Sequence, residues 1–288
     1  MQNLTKLYCE IDDYVKAEES QGKKKLGLTK HRNRRGKLSA SEIMTIIVMF
    51  QMSGFRTFKK YYEHLEKHYR KAFPDLISYN RFLELQPRVL VLLCGFLGTK
   101  KGKSTGIAFI DSTPIQVCKP KRAGRNKVFK DLAAKGKSTI GWFYGFKLHL
   151  IINDLGDLLS FTITPGNVND LNPVSRLCKN LRGKLFGDKG YISQKLFKEL
   201  LQRGIRFFTG VRKNMKNKLL ENIDRILLRK RSLIETVNDQ LKNIAHLEHS
   251  RYRSVASFAV NTVSALISYA LQPKKPSLFH TSNSMQIA

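Results

Sequence analysis

The sequence predicts a mixed α/β protein, a five-stranded mixed sheet flanked by helices, preceded by an all-α region of helix-turn-helix character. Two observations predict it. Up to about residue 100, apolar residues recur at helical spacing between capping and breaking residues, whereas from about Thr105 short β-branched and apolar runs alternate with helical ones. A chain of 288 residues is long enough to bury one full core and carry a smaller segment at each end. The expected segments are residues 1–100, helical; 105–252, sheet and helices with a basic insertion at 119–141; and 253–288, a C-terminal helix and tail.

In the first segment, Ser39 with Glu42 three residues later forms a capping box ahead of Ile43, Ile46, Ile47 and Phe50, so a helix starts there and stops near Ser53 and Gly54. A second helix is expected over residues 56–72, short of Pro74. Ser78 caps a third, with Tyr79, Asn80 and Arg81 in its first turn. Three short helices are what a helix-turn-helix needs, and the first turn of its recognition helix reaches base edges, which nominates Asn80 and Arg81 for reading DNA sequence. A purely structural bundle, interrupted at Pro87, is the alternative.

The second segment begins with a short buried strand at 107–110. Residues 143–152 and 158–164 form a hairpin around Asn153, Asp154 and Gly156. A helix at 171–181, a strand at 184–187, a helix at 194–202 capped by Ser193, a strand at 205–211 and a last helix at 226–246 complete the pattern. A hairpin joined to right-handed crossovers makes the sheet mixed. The insertion at 119–141 has little to bury and reads either as a loop that embraces DNA or as a solvated one. Residues 255–271 are the most apolar run, but they contain Ser257, Asn261, Thr262, Ser264 and Ser268 and fall short of the roughly 20 apolar residues of a bilayer span. A packed helix and no membrane partner are expected.

Lys and Arg number 52 against 22 Asp and Glu, a formal net charge of +30, and a field of that size draws polyanions. Nucleic acid is the expected partner. The run at 22–37 is either a solvated linker or a positive strand laid on phosphates. Cys9, Cys94, Cys118 and Cys178 are isolated, so neither a zinc set nor a redox dithiol is expected. No apolar signal core follows the N-terminus, which points to a cytoplasmic, nucleoid-associated protein. His64 and His68 lack the glutamate of a zinc-protease helix, and Gly136-Lys137-Ser138 lacks the earlier glycine of a phosphate loop, that position being Asp131.

Three acidic residues carry the expected chemistry. Asp111 closes an apolar strand, Asp188 follows Leu185 and Phe186 at the end of another, and Glu235 lies on the last helix. Carboxylates at two strand ends can face one helix and offer the hard oxygens that a divalent ion requires. On that helix Arg231, Glu235, Asn238 and Lys242 share one stripe, beside an apolar stripe of Ile234, Val237, Leu241 and Ile244. A surface helix with ordinary i,i+4 charge pairs would look the same. Asp170 in GNVND and His149 in FKLH can stand near the site, but a loop aspartate capping the next helix and a strand-edge histidine fit at least as well, and both stay outside the catalytic set.

The segments FIDSTPI around Asp111, LFGDKGY around Asp188 and R-x3-E-x6-K around Glu235, with GFKLHLII and GNVND between them, resemble the three blocks of DDE transposases of bacterial insertion sequences. The resemblance spans about residues 105–270. It implies an RNase H-like core in which Asp111, Asp188 and Glu235 are catalytic and hold two Mg²⁺, with Mn²⁺ able to substitute, while Arg231 and Lys242 contact phosphates of the element's end. It further implies a transposase that binds double-stranded DNA at terminal inverted repeats, cleaves it and joins the ends to target DNA, with a homodimer expected on paired ends. The family's third block is of the type Y-x2-R-x3-E-x6-K, and here Leu228 stands at the tyrosine position. That departure removes a phosphate or substrate contact and leaves the metal ligands intact. A metal-dependent nuclease of the same fold that never joins, and a catalytically silent DNA-binding relict, are the alternatives.

Overall fold

The computed structural model describes residues 4–20, 36–139, 141–210, 221–248 and 253–278. In chain order it begins with helices α1 (Leu4–Ser20), α2 (Ala40–Met52), α3 (Phe58–His68), α4 (Tyr79–Leu85) and α5 (Leu90–Thr99). Strands β1 (Ile107–Cys118), β2 (Ala134–Ser138), β3 (Gly141–Asn153) and β4 (Leu158–Pro165) follow, then α6 (Val174–Leu177), β5 (Gly183–Gly187), α7 (Gln194–Gln202) and β6 (Ile205–Thr209). Helices α8 (Asn222–Arg229), α9 (Ser232–Asn243) and α10 (Val255–Ala270) complete the described elements. Contacts divide the chain into two compact units: Met1–Lys100 with Asn126–Lys130 and Gln240–Gln272, and Lys101–Arg125 with Asp131–Asp239 and Pro273–Ala288.

The first unit is helical. Its capping box forms as expected, the Glu42 N–H donating to Ser39 Oγ at 3.1 Å and the Ser39 N–H to Glu42 Oε2 at 2.7 Å. Helix α2 buries nearly its whole circumference because α1 and α10 both pack on it. Phe50, Phe58 and Phe82 tie α2, α3 and α4 through ring contacts of 5.2 and 5.6 Å. Helix α3 ends earlier than expected, at His68, and Ser78 stands at the N-cap of α4 without a side-chain capping bond. Pro87 starts a 3-10 turn over Gln86–Val89 that leads into α5. By length and composition the run Tyr79–Thr99 could cross a membrane, yet it breaks at that turn and α5 packs on α10. The basic run expected at 22–37 falls almost wholly outside the described residues.

Two expectations change here. Contacts group α10, expected in a separate C-terminal segment, with the helices of residues 1–100. The middle of the basic insertion, residues 126–130, also joins this unit, where Phe129 is buried edge-on against Phe258 at 5.5 Å. One aromatic anchors a stretch whose charge hid it.

The second unit holds a mixed sheet of six strands, in the order β2-β3-β1-β5-β6 with β4 also on β3. The expected five become six because β2 lies inside the basic insertion. Its Lys135 and Lys137 face water on either side of buried Gly136, so no apolar alternation marks the strand. Gly145 pairs with both Gln116 and Ala134, and Phe146 with both Ile115 and Pro165, so β2 and β4 lie end to end along the one edge of β3 that β1 leaves open. Strands β1, β5 and β6 are parallel to one another. Ile110, Ile151, Leu185 and Ile205 form a core on the sheet with Val174, Leu177, Leu196 and Leu200 of α6 and α7.

Three further differences position the site. Strand β1 runs on to Cys118 because long β3 pairs with it throughout, which places Asp111 mid-strand rather than at a strand end. The helix expected at 171–181 is one turn of α6, with Pro173 at its N-cap and turns on either side. The single helix expected at 226–246 is two, α8 and α9, separated at Lys230 and Arg231. Helix α8 is tethered to β5 by buried Asp224, which accepts from Lys184 Nζ at 2.6 Å.

Candidate active site

Asp111 sits on β1 opposite Leu150 of β3, and Asp188 is the residue directly after β5. The parallel register pairs Ile107 with Lys184 and Phe109 with Phe186, and the last of these pairs stands two residues before Asp111 on one segment and two before Asp188 on the other. Asp188 caps the next 3-10 turn, accepting from the Gly190 N–H at 2.6 Å. Asn238, from α9, donates its Nδ2 to Asp111 Oδ2 at 3.0 Å. Burial pushes the Asp111 carboxyl up to about 6; the Ser112 N–H and the Arg231 charge oppose this, and the Asp188 and Glu235 charges add to it. Asp111 therefore lies within the electrostatic reach of both other carboxylates.

Glu235 is more than half exposed, at 54%, and is held by Arg231, whose Nη2 lies 2.7 Å from its Oε1. This is the i,i+4 pair that the spacing allowed. Ile234, Val237 and Leu241 are buried as the apolar stripe requires, but Ile244 is 52% exposed. Leu228 lines a cleft of about 270 Å³ with Gly187, Asp188, Lys189, Gly210 and Arg231. A larger groove, of about 810 Å³ and lined in part by Arg176, Lys179, Arg182 and Arg203, contains none of the three carboxylates.

The remaining nominated residues belong to the helical unit. Lys242 pairs there with Glu248 at 3.3 Å, Asn80 and Arg81 are exposed on α4, and Arg81 pairs with Glu84. Two residues acquire roles the sequence did not assign. Asn238 was visible on the stripe, but nothing in its spacing named Asp111 as its partner. Tyr191 is buried, and that burial raises its hydroxyl pKa, with the charges of Asp111, Asp170 and Asp188 adding to the rise. His149 is buried on β3 opposite Ser112, its Nε2 2.8 Å from Thr164 Oγ1, while Asp170 pairs with Lys147 at 2.9 Å. Gly136, Lys137 and Ser138 lie in a strand, which no phosphate loop does.

Among the described residues no group of three His, Cys, Asp or Glu side chains is gathered closely enough to hold a metal ion. The donor set nonetheless fits a divalent cation. Asp111 on β1 and Asp188 directly after the neighbouring β5 are hard oxygen donors, the Asp188 charge adds to the rise of the Asp111 carboxyl, which a cation would relieve, and Asn238 Oδ1 is buried with no hydrogen-bond partner.

The family model "Transposase DDE domain" matches residues 101–255. The chain belongs to this family. Its DDE transposase domain thus covers β1 to the start of α10 and contains Asp111, Asp188 and Glu235. No curated protein matches the chain. Among solved structures it is similar to the piggyBac transposase in a cryo-EM synaptic complex with hairpin DNA, at 12% identity and a TM-score of 0.49, over 92% of this chain and 72% of that one.

Proposed function

We propose that this DDE transposase is the enzyme of a bacterial insertion sequence, binding the element's terminal inverted repeats and carrying out metal-dependent cleavage and strand transfer. One observation carries the reading: Asp111 of β1 is bonded by Asn238 of α9, the helix that also bears Glu235, while Asp188 directly follows β5, the parallel neighbour of β1. Two Mg²⁺ held by Asp111, Asp188 and Glu235 would activate the attacking hydroxyl or water and steady the leaving oxygen. Asn238 fixes the orientation of Asp111 through its amide. Arg231 offers a guanidinium to a phosphate at the cleft beside Asp188 and Leu228. The strand order, antiparallel on one side of β1 and parallel on the other, supports an RNase H-like core. The exposed α4, with Asn80 and Arg81, is the proposed reader of the repeat within a helix-turn-helix, and a homodimer on paired ends is proposed with it.

The test uses the full chain with labelled element ends, target DNA and Mg²⁺. Cleaved and joined products are expected, and Asp111→Ala, Asp188→Ala or Glu235→Ala should each slow both steps by about a thousandfold, roughly 4 kcal/mol of barrier, while still shifting the DNA. Cleavage without joining would leave a nuclease of this fold, and bound DNA that is never cut would leave a silent relict. Near-normal cleavage by any one variant removes that residue from the site.

A further inference from the structure

The chain has one tryptophan, Trp142, and among the described large apolar side chains it is the most exposed, at 64%. It stands at the start of β3, opposite Lys137 of β2, where a paired backbone holds it rigidly. A cleft of about 400 Å³ opens beside it, lined by Trp142, Lys135, Lys137, Lys147, Asn169 and Asp170 among others. Lys147 is engaged, donating to Val168 O at 3.0 Å and to Asp170 Oδ1 at 2.9 Å. Lys135 and Lys137 are exposed and have no ion-pair partner among the described residues.

The cleft is built rather than incidental. A Cβ on Gly136 would lie 2.3 Å from Gly166 O, and one on Gly166 would lie 2.7 Å from Ala134 O. The backbones of β2 and of the turn after β4 therefore approach as closely as glycine alone allows, and both glycines line the cleft. A flat aromatic face beside two uncommitted cations is the arrangement by which proteins take unpaired nucleic acid, the ring stacking on a base and the cations holding its phosphates. A protein partner with an apolar anchor would call for apolar neighbours around the ring. Here the neighbours in the cleft are mainly lysines, asparagines and backbone.

We propose that this cleft is a subsite for an unpaired DNA base, stacked on Trp142, with its flanking phosphates on Lys135 and Lys137. The proposal rests on the reading of the protein as a DNA transposase and specifies a feature of its substrate. Along β3, Trp142 is eight residues from Leu150, the partner of Asp111, or about 27 Å. That is the rise of about eight base pairs, so the captured base flanks the reacting phosphate and is not adjacent to it.

Because Trp142 is the sole tryptophan, its emission reports the subsite without a label. The full chain is titrated with three DNAs: an element end carrying an unpaired tract, the same end fully paired, and a single strand, with binding read in parallel by anisotropy. Quenching is expected with the unpaired tract and the single strand and not with the paired duplex. Trp142→Ala should weaken single-strand binding about tenfold or more, Trp142→Phe should restore most of it, and circular dichroism should show all three proteins equally folded. Lys135→Ala and Lys137→Ala should each flatten the salt dependence of single-strand binding by about 0.7 in log-log slope. DNA that binds by anisotropy without changing the emission overturns the subsite, and so does equal quenching by the paired duplex. An emission change on raising protein concentration without DNA would make Trp142 a contact between copies and overturn it too. Failure to bind any DNA would instead overturn the transposase reading itself, and cleavage and joining in the absence of quenching would leave that reading standing and sink only the subsite.

Discussion

Replacing Asp111 by Asn should stabilise the metal-free protein while destroying its activity. A carboxyl raised from the ordinary 3.8 to about 6, chiefly by burial, binds its proton more tightly folded than unfolded. Below about pH 4 both states are protonated and the site costs nothing. Between about 4 and 6 the cost grows, and above 6 the folded state carries all of it. At ~1.4 kcal/mol for each tenfold change in proton affinity this is about 3 kcal/mol, and the partial exposure of Asp111 brings the working figure to about 2. Asparagine keeps the shape, can still accept from Asn238 through its amide oxygen, and carries no charge at any pH. Thermal unfolding in a chelator at pH 7.5 should show Asp111→Asn melting about 5 °C above the parent, with the difference vanishing near pH 4. Adding Mg²⁺ should then raise the parent and not the variant, as binding to the folded state alone requires. A variant less stable than the parent at pH 7.5, or a gain of equal size at both pH values, would refute the reasoning.

Neutral replacement of Arg231 or Lys242 should weaken binding to element ends and flatten its salt dependence by about 0.9 in log-log slope for each duplex phosphate that the variant no longer engages; an unchanged slope with unchanged activity would return them to their partners Glu235 and Glu248. Arg81→Ala should lose about 1 to 3 kcal/mol of discrimination between the repeat and random DNA, read by shift assays on both, and equal discrimination would move sequence reading away from α4. His149, pushed down to about 4 by burial, is neutral in the fold while the unfolded chain protonates near 6.5, so its contribution is whole above 6.5 and lost as pH falls towards 4. That loss amounts to about 3 kcal/mol, and His149→Gln should remove the corresponding slope from denaturant titrations at pH 7.5 and 5; an unaltered slope assigns it to another group.

What the sequence disclosed and what it withheld divide along physical lines. The capping box at Ser39, the hairpin of β3 and β4, and α7 with Ser193 at its N-cap were legible because each is written in local residues. Strand β2 was not, since an edge strand carrying lysines has no apolar face to display. The break between α8 and α9 was hidden because helical periodicity continues across it; it arises from tertiary demands, α8 being tethered at Asp224 and α9 reaching Asp111 through Asn238. At the site, three sequence blocks pointed to Asp111, Asp188 and Glu235, and the four-residue spacing pointed to the pairing of Glu235 with Arg231. The amide on Asp111 and the buried ring of Tyr191 depend on contacts between elements distant in sequence, which no local pattern encodes.

Under the proposed function, the Arg231–Glu235 pair would make ion binding and phosphate binding interdependent. A cation that draws Glu235 away leaves the guanidinium without its anion, and a phosphate that engages Arg231 leaves the carboxylate without its cation. Each ligand thus meets part of the cost of admitting the other, and by reciprocity the benefit is the same in both directions. An exposed pair of this spacing is worth only about 0.3 to 0.5 kcal/mol, so the cooperativity arising from this contact alone is about twofold. Under that function it would bias the protein towards taking up ion and DNA together, and against holding either one by itself.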